Sequence, residues 1–236
     1  MKRKFYKNKI YIYMRLIYKL TMALESKELN RKRPLIYIPI ERLKLDPLNP
    51  RLPVTAQGKS QSETLYYLYK YFDLTELADS ITKNGYFDEE PVVAVPEKLP
   101  EKFKDADFKK DKTKKEFSEF IETSDTKLIV VEGNRRLAAI QLLLSKEKQT
   151  EFKIKGWYDV PPEVEKDLRE IPVIIYPKRN DVIAYLGVRH ITGIKKWEPY
   201  AKARYIASFA QEGSSIEEIQ QTIGDRGTSV RKIYFC

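Results

Sequence analysis

One junction limits the folds open to this chain more than any other feature. Lys127–Gly133 (KLIVVEG) is an apolar, β-branched run that reads as a buried strand. It runs straight into NRRLAAIQLLLSKEK, which reads as a strong helix. A strand that turns through one glycine into a helix sets a layered α/β arrangement. It also sets local chemistry, because unpaired backbone N–H groups and the positive end of the helix dipole meet at Gly133. Such a helix start is predisposed to hold an anion. Arg135 and Arg136 add guanidinium forks suited to phosphate oxygens. On the residues alone, a second reading stays open: Gly133 makes only a tight turn, and the arginines are solvated or pair with acidic neighbours.

The rest of the chain supplies further α/β units. Leu35–Leu45 (LIYIPIERLKL) reads as a strand followed by a turn, and the prolines of DPLNPRLP keep the backbone extended or turned. Residues 60–71 carry helical spacing, with Ser62 as a weak cap. Asp73–Gly85 predicts an amphipathic helix with Leu74, Leu77, Ala78 and Ile81 on one face, stopped by Asn84-Gly85. PVVAVP (Pro91–Pro96) and IPVIIYP (Ile171–Pro177) read as β-branched strands, and Asp181 to His190 as helix. Residues 97–127 are rich in Lys, Glu and Asp and read as a charged surface insertion without chemistry. Trp157, Trp197 and the run Tyr66–Tyr71 read as packing residues.

Beyond residue 190 the pattern is helical. Pro199–Gln211 places Tyr200, Ala203, Ile206 and Phe209 near one stripe. Ile216–Ile223 follows Ser215, with Glu218 three residues on, in a capping-box pattern. Gly224 and a turn at Asp225–Thr228 lead to a further helix from Ser229. Short helix, glycine-containing turn, short helix is the pattern of a helix-turn-helix. Thr228, Ser229, Arg231 and Lys232 are then the residues suited to phosphates or base edges. The last helix reads as cut short at Cys236. Three packed helices without a DNA role are the alternative.

Charge and composition narrow the function classes. The chain carries 44 Lys/Arg against 34 Asp/Glu, but residues 1–33 hold eleven against two. The other 203 residues hold 33 against 32, so the body is near neutral and electrostatic arguments for nucleic acid cannot rest on the total. The basic segment 1–33 reads as an arm touching DNA or membrane, a disordered tail, or sequence upstream of a true start at Met22. It lacks the unbroken apolar run and cleavage site of a signal peptide. One cysteine, Cys236, excludes an internal disulfide framework and a cysteine-based zinc site. One histidine, His190, excludes a His-rich metal centre, and no metal site is expected. No run approaches the ~20 apolar residues of a membrane helix.

Four segments in order resemble the ParB/sulfiredoxin-like superfamily, and more closely the ParB N-terminal domain. IPIERLKLDPLNPRLP resembles its opening strand with N-P and R at Asn49, Pro50 and Arg51. LADSITKNGYFDEEPVVAV is similar to its helix–strand element, with Leu77, Ser80, Ile81, Gly85 and Pro91 in place. EGNRRLAAIQLL is similar to the G-E-R-R box, with Asn134 where Glu is usual, and IPVIIY to the strand that follows. The likeness spans roughly residues 34–236, about 85% of the chain. It implies an α/β (α+β) ParB-like domain at 34–190 and an all-α helix-turn-helix segment at 191–236.

The resemblance also implies a function. ParB proteins bind CTP, so Gly133, Asn134, Arg135 and Arg136 would contact phosphates, with Gly85 beside the nucleotide. Arg51, Thr228, Ser229, Arg231 and Lys232 would face DNA. In the family's E-N-x-Q-R box, Glu and Asn serve Mg²⁺ binding and hydrolysis. Here Arg189 and His190 stand at those positions, which disfavours Mg²⁺ and places Arg189 on phosphate. The leading expectation is a cytoplasmic, nucleoid- or plasmid-associated DNA-binding protein, able to form a homodimer. It would use CTP or another nucleotide as ligand or switch, in partition, regulation or a mobile-element context. The competing expectation is a nuclease or a nucleotide hydrolase or phosphotransferase, with Glu132 and His190 as leading candidates and Glu89 and Glu90 behind them. A third is an interaction module that has lost the pocket. Sulfiredoxin activity is excluded, since its catalytic cysteine has no counterpart.

Overall fold

In the computed structural model, the described residues are 33–192, 199–211, 213–223, 230 and 232. Strands β1 (Leu35–Pro39), β2 (Leu43–Leu45), β3 (Val92–Pro96), β4 (Leu128–Glu132) and β5 (Glu170–Ile175) form one mixed sheet in the order β1-β5-β3-β4-β2. β1 and β5 run antiparallel, β5 and β3 parallel, β3 and β4 antiparallel, and β4 and β2 parallel. The architecture is therefore mixed α/β, as the alternating strand and helix patterns predict.

Period-two alternation divides the sheet between two cores. Ile36, Ile38, Leu45, Ala94, Val130, Val173 and Ile175 belong to the first. It is completed by helices α1 (Gln61–Tyr71), α2 (Thr75–Asn84) and α5 (Asn134–Leu143) through Leu65, Leu68, Ala78, Ile81, Leu137 and Ile140. Val93, Val95 and Val131 belong to the second, with Val182 and Leu186 of α8 (Arg179–Gly187), Tyr205, Ile206 and Phe209 of α9 (Pro199–Gln211) and Ile219 of α10 (Ile216–Ile223). Helices α3 (Glu101–Lys104), α4 (Asp111–Thr123), α6 (Lys146–Glu151) and α7 (Pro162–Asp167) fill the connections.

Several local expectations change. Ser60, not Ser62, caps α1: its hydroxyl accepts from the Glu63 N–H, and the Ser60 N–H donates to Glu63 Oε2. The capping position is set by the first helical turn, which begins one residue before Ser62. Segment 97–127, expected as a solvated excursion, folds into α3 and α4 and buries Phe103, Phe117 and Ile121 in the first core. Its lysines and acids form the solvated side of amphipathic helices, so net polarity hid a buried stripe. Arg42 fastens this segment, donating from Nη2 to Ile121 O at 2.7 Å and from Nε to Thr126 O at 3.3 Å.

The buried stripe of α9 is Ala201, Tyr205, Ile206 and Phe209. Tyr200 is 55% exposed, so the stripe begins one residue later than the spacing predicts. The expected capping box before α10 is present: Ser215 N–H donates to Glu218 Oε2 at 2.8 Å and Glu218 N–H to Ser215 Oγ at 3.2 Å. Arg204 of α9 donates to Leu52 O and Gln57 Oε1, both at 2.7 Å. Helices α9 and α10 thus share the second core with the sheet, and α9 also holds the Asn49–Gln57 loop through Arg204. Among the described residues, no helix is long and apolar enough to cross a membrane.

Candidate phosphate-binding pocket

The pocket is built from the end of β4 outward. Gly133 follows Glu132 with φ +100°, a left-handed backbone that glycine adopts without penalty. Space imposes the same choice. A Cβ at Gly133 would lie 2.7 Å from Val92 Cγ1 and 3.2 Å from Arg136 Nη2. The ladder between β3 and β4 shifts register between Val93 and Ala94, so the irregularity falls beside the turn. Helix α5 then starts at Asn134 with no side-chain cap, and Leu137 N–H is bonded to Gly133 O. The N–H groups of the first turn precede that bond.

Around this helix start lies a cavity of about 300 Å³. Arg51, Arg135, Arg136 and Arg189 line it, with Glu90, Glu132, His190 and Asn49 as its other charged or polar side chains, apart from Asn134. Leu68, Phe72 and Leu77 form an apolar wall. Four guanidinium groups against two carboxylates give the cavity a positive balance.

Each arginine is held by identifiable neighbours. Arg136 donates to the Glu90 carbonyl and, at 3.2 Å, to the Tyr86 hydroxyl, and its Nη1 lies 3.5 Å from Glu90 Oε2. Burial pushes the Tyr86 hydroxyl up to about 12, although the Arg136 charge opposes the shift. Tyr86 therefore stays a neutral hydroxyl. Arg135 donates from Nη2 to Asp73 O at 2.6 Å, while its buried Nε has no hydrogen-bond partner among the described residues. Arg51 stacks over the Phe72 ring at 5.3 Å.

Glu132 is the acidic centre. Its Oε1 lies 3.2 Å from Arg189 Nε, and its Oε2 lies 2.8 Å from His190 Nε2. Burial alone would raise this carboxyl. The His190 hydrogen bond and charge, with Arg189 and Arg136, outweigh it and hold the carboxyl below its ordinary value. Arg189 and His190 come from a π-helical turn, Val188–Thr192, which follows α8 where a continuous helix to His190 was expected. Single π turns widen a helix locally and recur at functional sites.

The structure thus brings Gly133, Asn134, Arg135, Arg136, Arg189, Glu132 and His190 together, and adds Arg51. Arg51 was assigned to DNA by resemblance, but it lines this cavity. Gly85 is not among the lining residues. It ends α2 with φ +74°, and its Cβ position faces Asp167 Oδ2 at 3.2 Å. Its successors Tyr86 and Glu90 reach the site instead, by holding Arg136. Asn134 lines the cavity, but its side chain is committed to the fold: Oδ1 accepts from Asp46 N–H at 2.8 Å and Nδ2 donates to Val130 O at 2.7 Å. Glu89 is exposed and does not line the cavity. Asn49, Phe72 and Tyr86 were not singled out for the site, though Asn49 stands inside the N-P motif and Tyr86 directly after Gly85. Thr228, Ser229 and Arg231 lie outside the described residues. Lys232 is helical and exposed, and Val230 beside it is buried in the second core.

No protein-family model matches the chain. No curated protein matches it either. Solved structures that it resembles include C-terminally truncated chromosome-partitioning protein ParB from Caulobacter crescentus. In the complex with the centromeric parS site, identity is 16% and the TM-score 0.40, covering 84% of this chain and 69% of that one. In the complex with CTP-gamma-S, identity is 16% and the TM-score 0.31, covering 85% of this chain and 76% of that one.

Proposed function

We propose that this chain is a ParB-like protein that binds a nucleoside triphosphate, CTP in the first instance, as ligand or switch, and engages DNA through its C-terminal helices. The observation that carries the nucleotide half is the uncapped start of α5 at Gly133, facing a cavity lined by four arginines. Phosphate oxygens would meet the first-turn N–H groups and the helix dipole, with guanidinium forks supplying the balancing charge. The apolar wall of Leu68, Phe72 and Leu77 suits a less polar part of the ligand. Bound at the end of β4, the ligand would touch the turn that carries Arg189 and His190 and so bias the helices beyond it. Partition, regulation and mobile-element maintenance all fit such a switch. Thermal unfolding in the presence of CTP, ATP and GTP tests the reading. A raised midpoint with at least one of them is expected, and unchanged midpoints with all three would contradict it.

One observation favours a second, enzymatic reading. The Glu132 carboxylate on His190 Nε2 is an arrangement that orients an imidazole for proton transfer. That reading requires release of phosphate from a nucleotide, or cleavage of a nucleic acid, that is lost in His190→Gln. Binding without turnover supports the switch.

A further inference from the structure

We infer that the pocket takes its polyphosphate as the metal-free anion, with the arginines in the place of a divalent ion. The inference rests on the phosphate reading above and concerns what can accompany the ligand. A hard cation such as Mg²⁺ binds oxygen and is usually held through one or two protein carboxylates together with phosphates and water. Among the described residues that line the cavity, four have side-chain oxygen atoms, and each has an oxygen directed at a donor of the protein. Glu132 has both engaged, Oε1 by Arg189 at 3.2 Å and Oε2 by His190 at 2.8 Å. Glu90 Oε2 lies 3.5 Å from Arg136. Asn49 Oδ1 accepts from Arg51 N–H at 3.0 Å. Asn134 Oδ1 accepts from Asp46 N–H at 2.8 Å.

The two carboxylates that a divalent ion would need are therefore turned to Arg189, His190 and Arg136, and the two amide oxygens to backbone N–H groups. The resemblance to ParB implies Glu and Asn serving Mg²⁺ where Arg189 and His190 stand, and these side chains do not fit that ion. Among the described residues, no cluster of three or more His, Cys, Asp or Glu could hold a metal. A cation entering at Glu132 would have to displace Arg189 and His190 from a largely buried carboxylate and would then face the Arg189 charge at close range. A phosphate meets the opposite situation. It can bind beside Arg135, Arg136 and the start of α5, and Arg189 can turn to it from Glu132. Mg²⁺ on the phosphate would neutralise the charge that these groups recognise.

Isothermal titration of the full chain with CTP, once in EDTA and once in excess Mg²⁺, tests the inference, with inorganic tripolyphosphate as a probe that lacks base and sugar. The expected result is CTP binding in EDTA that is as tight as, or tighter than, binding in Mg²⁺, with tripolyphosphate showing the same order. CTP binding that is about tenfold or more tighter in Mg²⁺ would overturn the inference while leaving the nucleotide reading intact. Absence of CTP binding in both arms would refute the nucleotide reading, and the inference with it.

Discussion

His190 Nε2 lies 2.8 Å from Glu132 Oε2, which ties the π-helical turn to the end of an interior strand 58 residues earlier. Arg189 holds the other oxygen of the same carboxylate. A single carboxyl thus connects the cavity floor to the stretch of chain that leads into the C-terminal helices.

Replacing Glu132 by Gln removes the charge that both partners face. A loss of about 1.5–3 kcal/mol in urea unfolding near neutral pH is expected, the range for hydrogen bonds to charged groups. The pH dependence has a definite sign. The folded protein holds the Glu132 carboxyl below its ordinary value, so the unfolded chain takes up the proton first as pH falls. The contribution is present above roughly pH 4.3, the value of a free glutamate, and is lost as pH falls through the lower folded value. Unfolding curves from pH 6 downward should therefore converge for wild type and variant. A constant gap down to the acid limit would contradict this.

Gly133→Ala combines two penalties. The left-handed backbone costs a side chain about 1–2 kcal/mol. The 2.7 Å approach to Val92 Cγ1 adds roughly 1–3 kcal/mol of overpacking. Trimming Val92 to Ala in the same chain removes the methyl that the new Cβ meets. The double variant should be less destabilised than the sum of the single changes, as read by denaturation midpoints. Strict additivity would mean that Val92 does not set the space at this turn.

The junction at Gly133 was legible because all of its signals are local: an apolar strand, a glycine, then arginines on a helix start. The other strands and the helix over Thr75–Asn84 follow from periodicities within a dozen residues and end within a residue or two of expectation. But Leu35–Leu45, read as one strand, is β1 and β2 parted by a tight turn at Ile40–Arg42. The helix read from Asn134 through Lys148 stops at Leu143, before α6 starts at Lys146. The partner of His190 was not legible. Glu132 and His190 are joined only after α8 has packed in the second core through Val182 and Leu186, and no spacing in the sequence encodes that packing. The place of Arg51 in the cavity was not legible for the same reason, since it depends on how the Asn49–Gln57 loop brings Arg51 over the Phe72 ring. The replacement of the box glutamate by Asn134 was visible, but its meaning was not. An amide both donates to Val130 O and accepts from Asp46 N–H, which an ionised glutamate cannot do.

DNA engagement by the C-terminal helices predicts a steep salt dependence. The affinity for duplex DNA, followed by fluorescence anisotropy, should fall linearly with salt on a logarithmic scale. Lys232 is exposed on its helix, so Lys232→Ala should weaken binding across sequences and flatten that slope by about 0.9, the equivalent of one phosphate contact. An unchanged slope would remove Lys232 from the interface, and salt-independent binding would contradict a phosphate-tracking role.

The central claim is that the Gly133 helix start and its arginines hold nucleotide phosphates. Calorimetric titration with CTP of wild type beside Arg136→Ala, with circular dichroism to show that both are folded, addresses it most directly. The account predicts saturable binding by wild type and a loss of at least about tenfold in the variant, a change of ~1.4 kcal/mol or more. Equal affinity in both proteins, or no binding by wild type, would contradict it.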